Sequence, residues 1–253
     1  MFPIIHLGPL AIQTPSLILL LAAWLGIWSS ERESMRRGLP GGAIANLGTF
    51  AALGGLLGAR LGYALLNRSS YAADPLSIFS LTPSALEPAA GLGTALIVGV
   101  IYGQRRKLPL RGALDALAPG IAVLGIGLAL ANLASGDGYG APARLPWSIF
   151  LWGVDRHPSE VYELLGALAV LALWYWASRQ ALPPGVTFLL VVAASALVRL
   201  FLEAFRGDSA LLPGGFRLGQ VIALLALAAC FFLAGRWSRE GEQARSTQME
   251  GPS

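Results

Sequence analysis

Apolar residues run along this chain in long stretches, without the strict alternation of a strand or the one-sided stripe of a water-soluble helix. A segment crossing a membrane core about 30 Å thick needs about 20 such residues. By that measure the chain predicts helices near 12–30, 43–66, 89–102, 114–133, 159–178, 185–205 and 218–235. The third is short for a full span, and is accommodated by little tilt, by extension into the preceding Ala85-Leu86-Glu87-Pro88, or by shielding within protein. The expected class is an all-α integral membrane protein, a polytopic bundle of about seven transmembrane helices. One transmembrane domain is expected over 1–238, with a polar segment at 132–158, followed by a polar, disordered tail at 239–253.

Charge in the connecting segments orients the bundle, because cytoplasmic loops carry the excess of Lys and Arg. One side holds Arg32, Arg36, Arg37, Arg105, Arg106, Lys107, Arg111, Arg179, Arg236, Arg239 and Arg245; the other holds Arg68, Arg144, Arg156, Arg206 and Arg217. The N-terminus is therefore expected outside and the tail inside. Asn132 and Asp137, then His157, Glu160 and Glu163, then Arg199, Glu203 and Arg206, with Arg60, all fall toward the outer ends of their helices. Ionisable residues inside spans are costly and are functional candidates by default.

Composition agrees with the membrane reading: 55% of residues are hydrophobic and 13% charged, against about 25% charged in soluble domains, and the mean hydropathy is +0.62. A net charge of +4 follows from orienting arginines and needs no nucleic-acid partner. The single cysteine, Cys230, excludes an intrachain disulfide and cysteine metal sites. No metal cluster or nucleotide motif is visible, so neither metal nor cofactor is expected. The first residues, MFPIIHLGPLAIQTP, lack a basic start and a small-residue cleavage site, so no removable signal peptide is expected.

Arg199 and Glu203 are four apart and share a helix face. Their plain structural reading is a buried ion pair. Their functional reading is an Arg aimed by a Glu so that it grips a lipid phosphate, which suits the guanidinium fork. Arg206 and Asp208 follow, at headgroup level. Arg60, near the end of a span, reads plainly as a side chain snorkelling to the interface, and functionally as a site residue, because the flanking Gly58 and Gly62 open space beside it. His157 precedes Pro158 at a helix start, with Ser159, Glu160 and Glu163 in the first turns. Acids there are ordinary capping; the chemical alternative makes His157 or Glu163 a proton acceptor. The run Ser135-Gly136-Asp137-Gly138-Tyr139-Gly140 has neither Walker nor GxGxxG spacing and reads as a turn.

Taken together, HLGPLAI near the N-terminus, GARLGY at 58–63, NLASGDGYG at 132–140, LPW, RHPSEVYE at 156–163, RLFLEAFRGDS at 199–209 and LGQ at 218–220 resemble the bacterial prolipoprotein diacylglyceryl transferases. That resemblance covers nearly the whole chain. It implies an enzyme of the bacterial plasma (inner) membrane that moves a diacylglyceryl group from phosphatidylglycerol to the lipobox cysteine of a prolipoprotein signal peptide, releasing glycerol phosphate. It implies catalytic roles for Arg199, Glu203, His157 and Glu163, and substrate binding by Arg60, Asn132, Asp137, Gly140 and Arg206. The chain departs from the family pattern at several positions: Ala129 stands for the Arg of the signature, Ser135 for its second Asn, Asp137 for its Glu, Ala89 for the His of the HGG segment, Pro15 for a Tyr of the first helix and Ser195 for the Tyr before Arg199.

Two functions are carried forward: the transfer itself, and a catalytically silent homologue that binds phospholipid or lipoprotein precursor. A small-solute transporter fits less well, because a transport path needs polar groups near the midplane too. Whether His157, Glu163 and Arg199 face one cavity separates the first two.

Overall fold

The computed structural model describes the backbone of residues 4–7, 10–68, 71 and 85–249, and side chains over 13–68, 71 and 85–240. Gly8 and Pro9 of the HLGPLAI stretch and residues 250–253 of the expected tail lie outside the described residues, as does the side chain of Arg245. The order is β1 (Ile4–Leu7), β2 (Leu10–Gln13), α1 (Thr14–Arg36), α2 (Ala43–Leu66), α3 (Pro88–Arg105), α4 (Leu110–Ser135), β3 (Ile149–Leu151), β4 (Val154–Arg156), α5 (Ser159–Ala177), α6 (Val186–Leu202), a 3-10 turn (Glu203–Phe205) and α7 (Leu218–Met249). Two antiparallel hairpins, β1–β2 and β3–β4, were not expected from the hydropathy pattern.

The long helices coincide with the apolar stretches. Among the described residues, five helical segments are long and apolar enough to cross a membrane: Ala43–Leu66, Leu110–Ser135, Ser159–Ala177, Val186–Phe205 and Leu218–Glu240. The chain is thus a helical, multi-pass membrane protein. α1 falls short because Thr14, Pro15 and Ser16 open it and Ser29, Ser30 and Glu31 follow its apolar run; in α3, four glycines with Gln104 and Arg105 dilute the apolar residues. At the other end, α7 runs on through Met249. The Arg236–Glu240 ion pair, four residues apart, ties the helix together at the point where the apolar residues end.

The chain divides into two compact units: residues 31–113, and residues 1–30 with 114–253. In the first, α2 and α3 lie antiparallel. A methyl group added at Gly58 would collide with the Thr94 side chain, and one at Gly62 with Ala90, so the helices meet at distances that glycine alone allows.

In the second unit α4 is central. Gly26 and Ser30 of α1 pack on Gly120, and Ala22 on Gly127. Ala118, Ala122, Val170 and Val191 form a buried core between α4, α5 and α6, with Trp174, Phe188 and Val198 packed against it. Asp115 of α4 is buried and accepts hydrogen bonds from the N–H groups of Gly185 (2.8 Å) and Phe188 (2.9 Å). Those donors have no partner within α6 itself, so one carboxylate caps the start of that helix from its neighbour. Residues such as Leu20, Leu165, Leu225 and Phe231 are exposed, as suits helix faces covered by lipid tails.

Candidate active site

The cap from Asp115 fixes the start of α6, and the other end of that helix carries the candidate site. Arg199 stands in its last turn and Glu203 begins the 3-10 turn that follows. Arg199 Nε lies 2.8 Å from Glu203 Oε2, an ion pair whose N–H is not aligned as a hydrogen bond. Glu203 is buried beneath Gly219 of α7, where an added methyl group would meet its carboxylate.

Glu163, one turn into α5, is the hub. Asn132, in the last turn of α4, donates from Nδ2 to Glu163 Oε2 at 3.2 Å. Glu163 Oε1 accepts from Arg199 Nη1 at 3.3 Å and from Arg206 Nη1 in close contact. Arg206 also grips Asp208 through two parallel bonds, Nε to Oδ1 at 2.9 Å and Nη2 to Oδ2 at 2.6 Å. Burial disfavours the charge on Arg206, but hydrogen bonding to Asp208 and the charge of Glu163 outweigh it and raise its pKa above the ordinary arginine value. The two guanidiniums differ in access. The Arg206 side chain is 10% exposed and enclosed by its two carboxylates, whereas that of Arg199 is 44% exposed.

Beside this cluster a pocket of about 160 Å³ opens between α4, α5 and α6. Ile121, Ala122, Gly125, Leu128, Ala167, Val170, Val198 and Leu202 make its apolar walls, and among the described residues Glu163 and Arg199 are its only charged lining. Ala129 and Ser195 also line it, so two positions where the family resemblance expects an Arg and a Tyr are small here. An apolar slot beside an accessible cation suits an amphiphile with an anionic head.

The glycine-rich turn after α4 closes over the cluster instead of presenting a phosphate loop. Gly138, at φ +72°, puts its backbone against the Arg206 guanidinium and Asn132 Nδ2, and Ser159 Oγ donates to its carbonyl at 2.7 Å. Gly140 pairs with Arg206 in a backbone bridge, and a side chain on it would strike the His157 carbonyl. Arg217, read from the sequence only as an orienting charge, donates from Nη1 to the carbonyls of Glu203 and Arg206, the latter at 2.8 Å, and so ties down the turn carrying Arg206.

The expected residues therefore separate. Asn132, Glu163, Arg199, Glu203 and Arg206 form one connected cluster, with Gly140 packed on it. His157 is not among the residues that line the pocket: its ring packs tilted against Phe205 (5.1 Å) and edge-on to Tyr162 (6.2 Å), and its buried Nδ1 has no hydrogen-bond partner among the described residues. Asp137 is exposed; its N–H is held by Ser135 Oγ. Arg60 belongs to the other unit, where it donates to the Ala85 carbonyl at 2.9 Å and lies over the Tyr71 ring. Glu160, taken from the sequence as an ordinary helix-start acid, is fully buried next to Ser159.

Fold and site define a polytopic helical membrane protein with a charged cluster at the ends of three helices and an apolar pocket beside it. Comparison with known proteins assigns it more closely. The family model for prolipoprotein diacylglyceryl transferase matches residues 3–235, and the chain belongs to that family. It is similar to the phosphatidylglycerol–prolipoprotein diacylglyceryl transferase of Geobacter sulfurreducens, 33% identical over 229 residues that cover 86% of this chain and 88% of the relative. The proteins of the same name from Bordetella avium (31% over 234 residues, 87% and 88%) and Synechococcus elongatus (30% over 247 residues, 89% and 83%) are also similar.

Proposed function

We infer that this chain transfers the diacylglyceryl group of phosphatidylglycerol to the lipobox cysteine thiol of a prolipoprotein, at the outer face of a bacterial plasma membrane that its helices cross seven times. The observation that carries this reading is the placement of Arg199, accessible and aimed by Glu163 and Glu203, at the charged edge of a largely apolar pocket between membrane helices. In the reaction the cysteine sulfur forms a bond to the glyceryl carbon while that carbon's bond to the phosphate oxygen breaks. The oxygen leaves with the bonding electrons as glycerol phosphate, and the thiol proton passes to a base. Arg199 stabilises the charge that develops on the departing phosphate, the kind of fixed electrostatic help that provides much of an enzyme's rate. Arg206, enclosed by Glu163 and Asp208, positions Glu163 instead of meeting substrate. Of the two proton acceptors read from the sequence, Glu163 lines the pocket and is assigned the thiol proton in this reading.

A second reading, a silent homologue that binds phospholipid without turnover, draws support from the withdrawal of His157 from the pocket and from the small residues Ala129 and Ser195 in its wall. One assay separates the two. Purified protein in phosphatidylglycerol micelles is given a lipobox peptide with a free cysteine, beside an Arg199→Ala control. Thioether product that disappears in the control supports transfer; lipid or peptide binding without product in either protein supports the silent reading.

A further inference from the structure

Connecting segments are ordinarily polar, yet Trp147, Phe150 and Trp152 are 59%, 75% and 68% exposed. All three belong to or flank the β3–β4 hairpin. Directly opposed residues of an antiparallel pair share a face, and here Phe150 opposes Asp155, Ile149 opposes Arg156 and Leu151 opposes Val154. The hairpin therefore has two sides. Ile149, Leu151 and Arg156 are half-buried toward the glycine-rich turn, where Arg156 donates from Nη1 to the Gly140 carbonyl at 3.1 Å and lies over the Tyr139 ring. Phe150, on the other side, is left uncovered beside the exposed Asp155, and on the first side only Val154, next to the turn, is exposed.

Trp152 and Gly153 make the turn, with φ of +55° and +81°. A two-residue turn of this kind ordinarily uses Asn-Gly, because a residue with a bulky side chain is disfavoured in the left-handed region. This chain holds an indole at the tip against that preference, and a residue kept in a disfavoured conformation points to a requirement other than folding.

Three further features identify what the tip meets. The apolar span of α5 begins at Ser159, three residues after β4 ends, which is at most about 10 Å of extended chain. The headgroup layer on each face of a bilayer is about 5–7 Å deep, so the hairpin is tethered beside it. Trp is the side chain most at home at that level, apolar in body and able to donate one hydrogen bond. Arg144 is exposed on the approach to the hairpin and complements anionic headgroups. A polypeptide partner would find little strand to pair with. The bridge between Pro142 and Arg156, with the Ala143 N–H on the Asp155 carbonyl, occupies the free edge of β4, and β3 offers three residues.

We propose that the β3–β4 hairpin is an interfacial anchor, with Trp152 and Phe150 immersed in the headgroup layer of the adjoining leaflet and Arg144 set against anionic lipid. The anchor does not depend on turnover and would serve a silent homologue equally.

The test uses the full chain with Cys230→Ala, carrying Trp152→Cys or, separately, Phe150→Cys, labelled with an environment-sensitive dye. The protein is placed in nanodiscs of equal parts phosphatidylcholine and phosphatidylglycerol. Expected is quenching by lipids with a nitroxide near the headgroup that is several-fold stronger than at a control Arg239→Cys, together with protection from aqueous iodide. Adding Trp152→Asn to the Phe150→Cys protein, which relaxes the turn and so preserves the fold, should reduce nitroxide quenching several-fold. A dye as open to iodide as the control would overturn the proposal. So would a Phe150→Cys signal indifferent to Trp152→Asn, or shielding from iodide that arises only when a lipobox peptide is added.

Discussion

Arg199 and Arg206 sit on one carboxylate yet are suited to different work, and exposure is what separates them. Arg199 is the guanidinium a phosphate can reach. Arg199→Ala should therefore lower the rate of thioether formation by about 10²–10³, the usual loss when one donor to developing charge is removed; a fall of less than tenfold in the micelle assay would remove Arg199 from the chemistry. Arg206 is held by a bidentate grip that lysine cannot reproduce. Arg206→Lys should lower activity through misplacement of Glu163, and Asp208→Asn should do the same to a smaller degree, as compared by initial rates at saturating lipid. The sign of the pH effect follows from its raised pKa. The stability contributed by Arg206 is fully present below the ordinary arginine pKa and is lost only in strongly alkaline solution as pH passes through the folded-state value. A melting temperature of the wild type that fell between neutral and mildly alkaline pH, but not in Arg206→Lys, would contradict this.

Helix ends and helix seams are where this protein spends its few polar and smallest residues. Asp115 caps α6 at the end opposite Arg199, so the register of the whole helix depends on a carboxylate far along the sequence from either. Asp115→Ala leaves two buried N–H groups unsatisfied and should destabilise the fold by about 1–3 kcal/mol, seen as a lower melting temperature in detergent, with Asp115→Asn less affected. An unchanged melting temperature for the alanine variant would mean that water replaces the carboxylate. Gly58→Leu should separate α2 from α3, because the Thr94 side chain already fills the space; retention of full thermal stability would show that the seam can yield.

The same elements show how far the residues alone could be read. Long apolar runs located the helices, since nothing but a membrane or a large core accommodates them. The β3–β4 hairpin stayed hidden because Ile-Phe-Leu-Trp-Gly-Val is too short a run to tell strand from loop, and its turn carries Trp where Asn would have been a signal. Arg199, Glu203 and Glu163 were legible as charges inside or beside spans. The hub role of Glu163 was not, because it depends on Arg206 and Asn132 arriving from separate elements, and the packing of His157 against Phe205 likewise leaves no mark in local spacing.

For the whole molecule, we propose from the distribution of arginines and lysines an external N-terminus and an internal α7 end. Labelling single cysteines at Ser16 and Arg239 in intact inverted and right-side-out vesicles should modify the first from outside only and the second from inside only; the reverse pattern would turn the proposed site to the cytoplasm and sink the external reading. On the proposed reading the pocket also sets what the protein can tell apart. Its 160 Å³ is close to the cavity of about 150 Å³ that takes up a single benzene in an engineered lysozyme, enough for a handful of carbons and far too small for an acyl chain. Most of each lipid tail must stay outside it. Selection among lipids should accordingly be blind to tail length and to double bonds far from the glycerol, but sensitive to methyl branches within the first few carbons. Membranes whose tails differ only at their far ends would look identical to this protein.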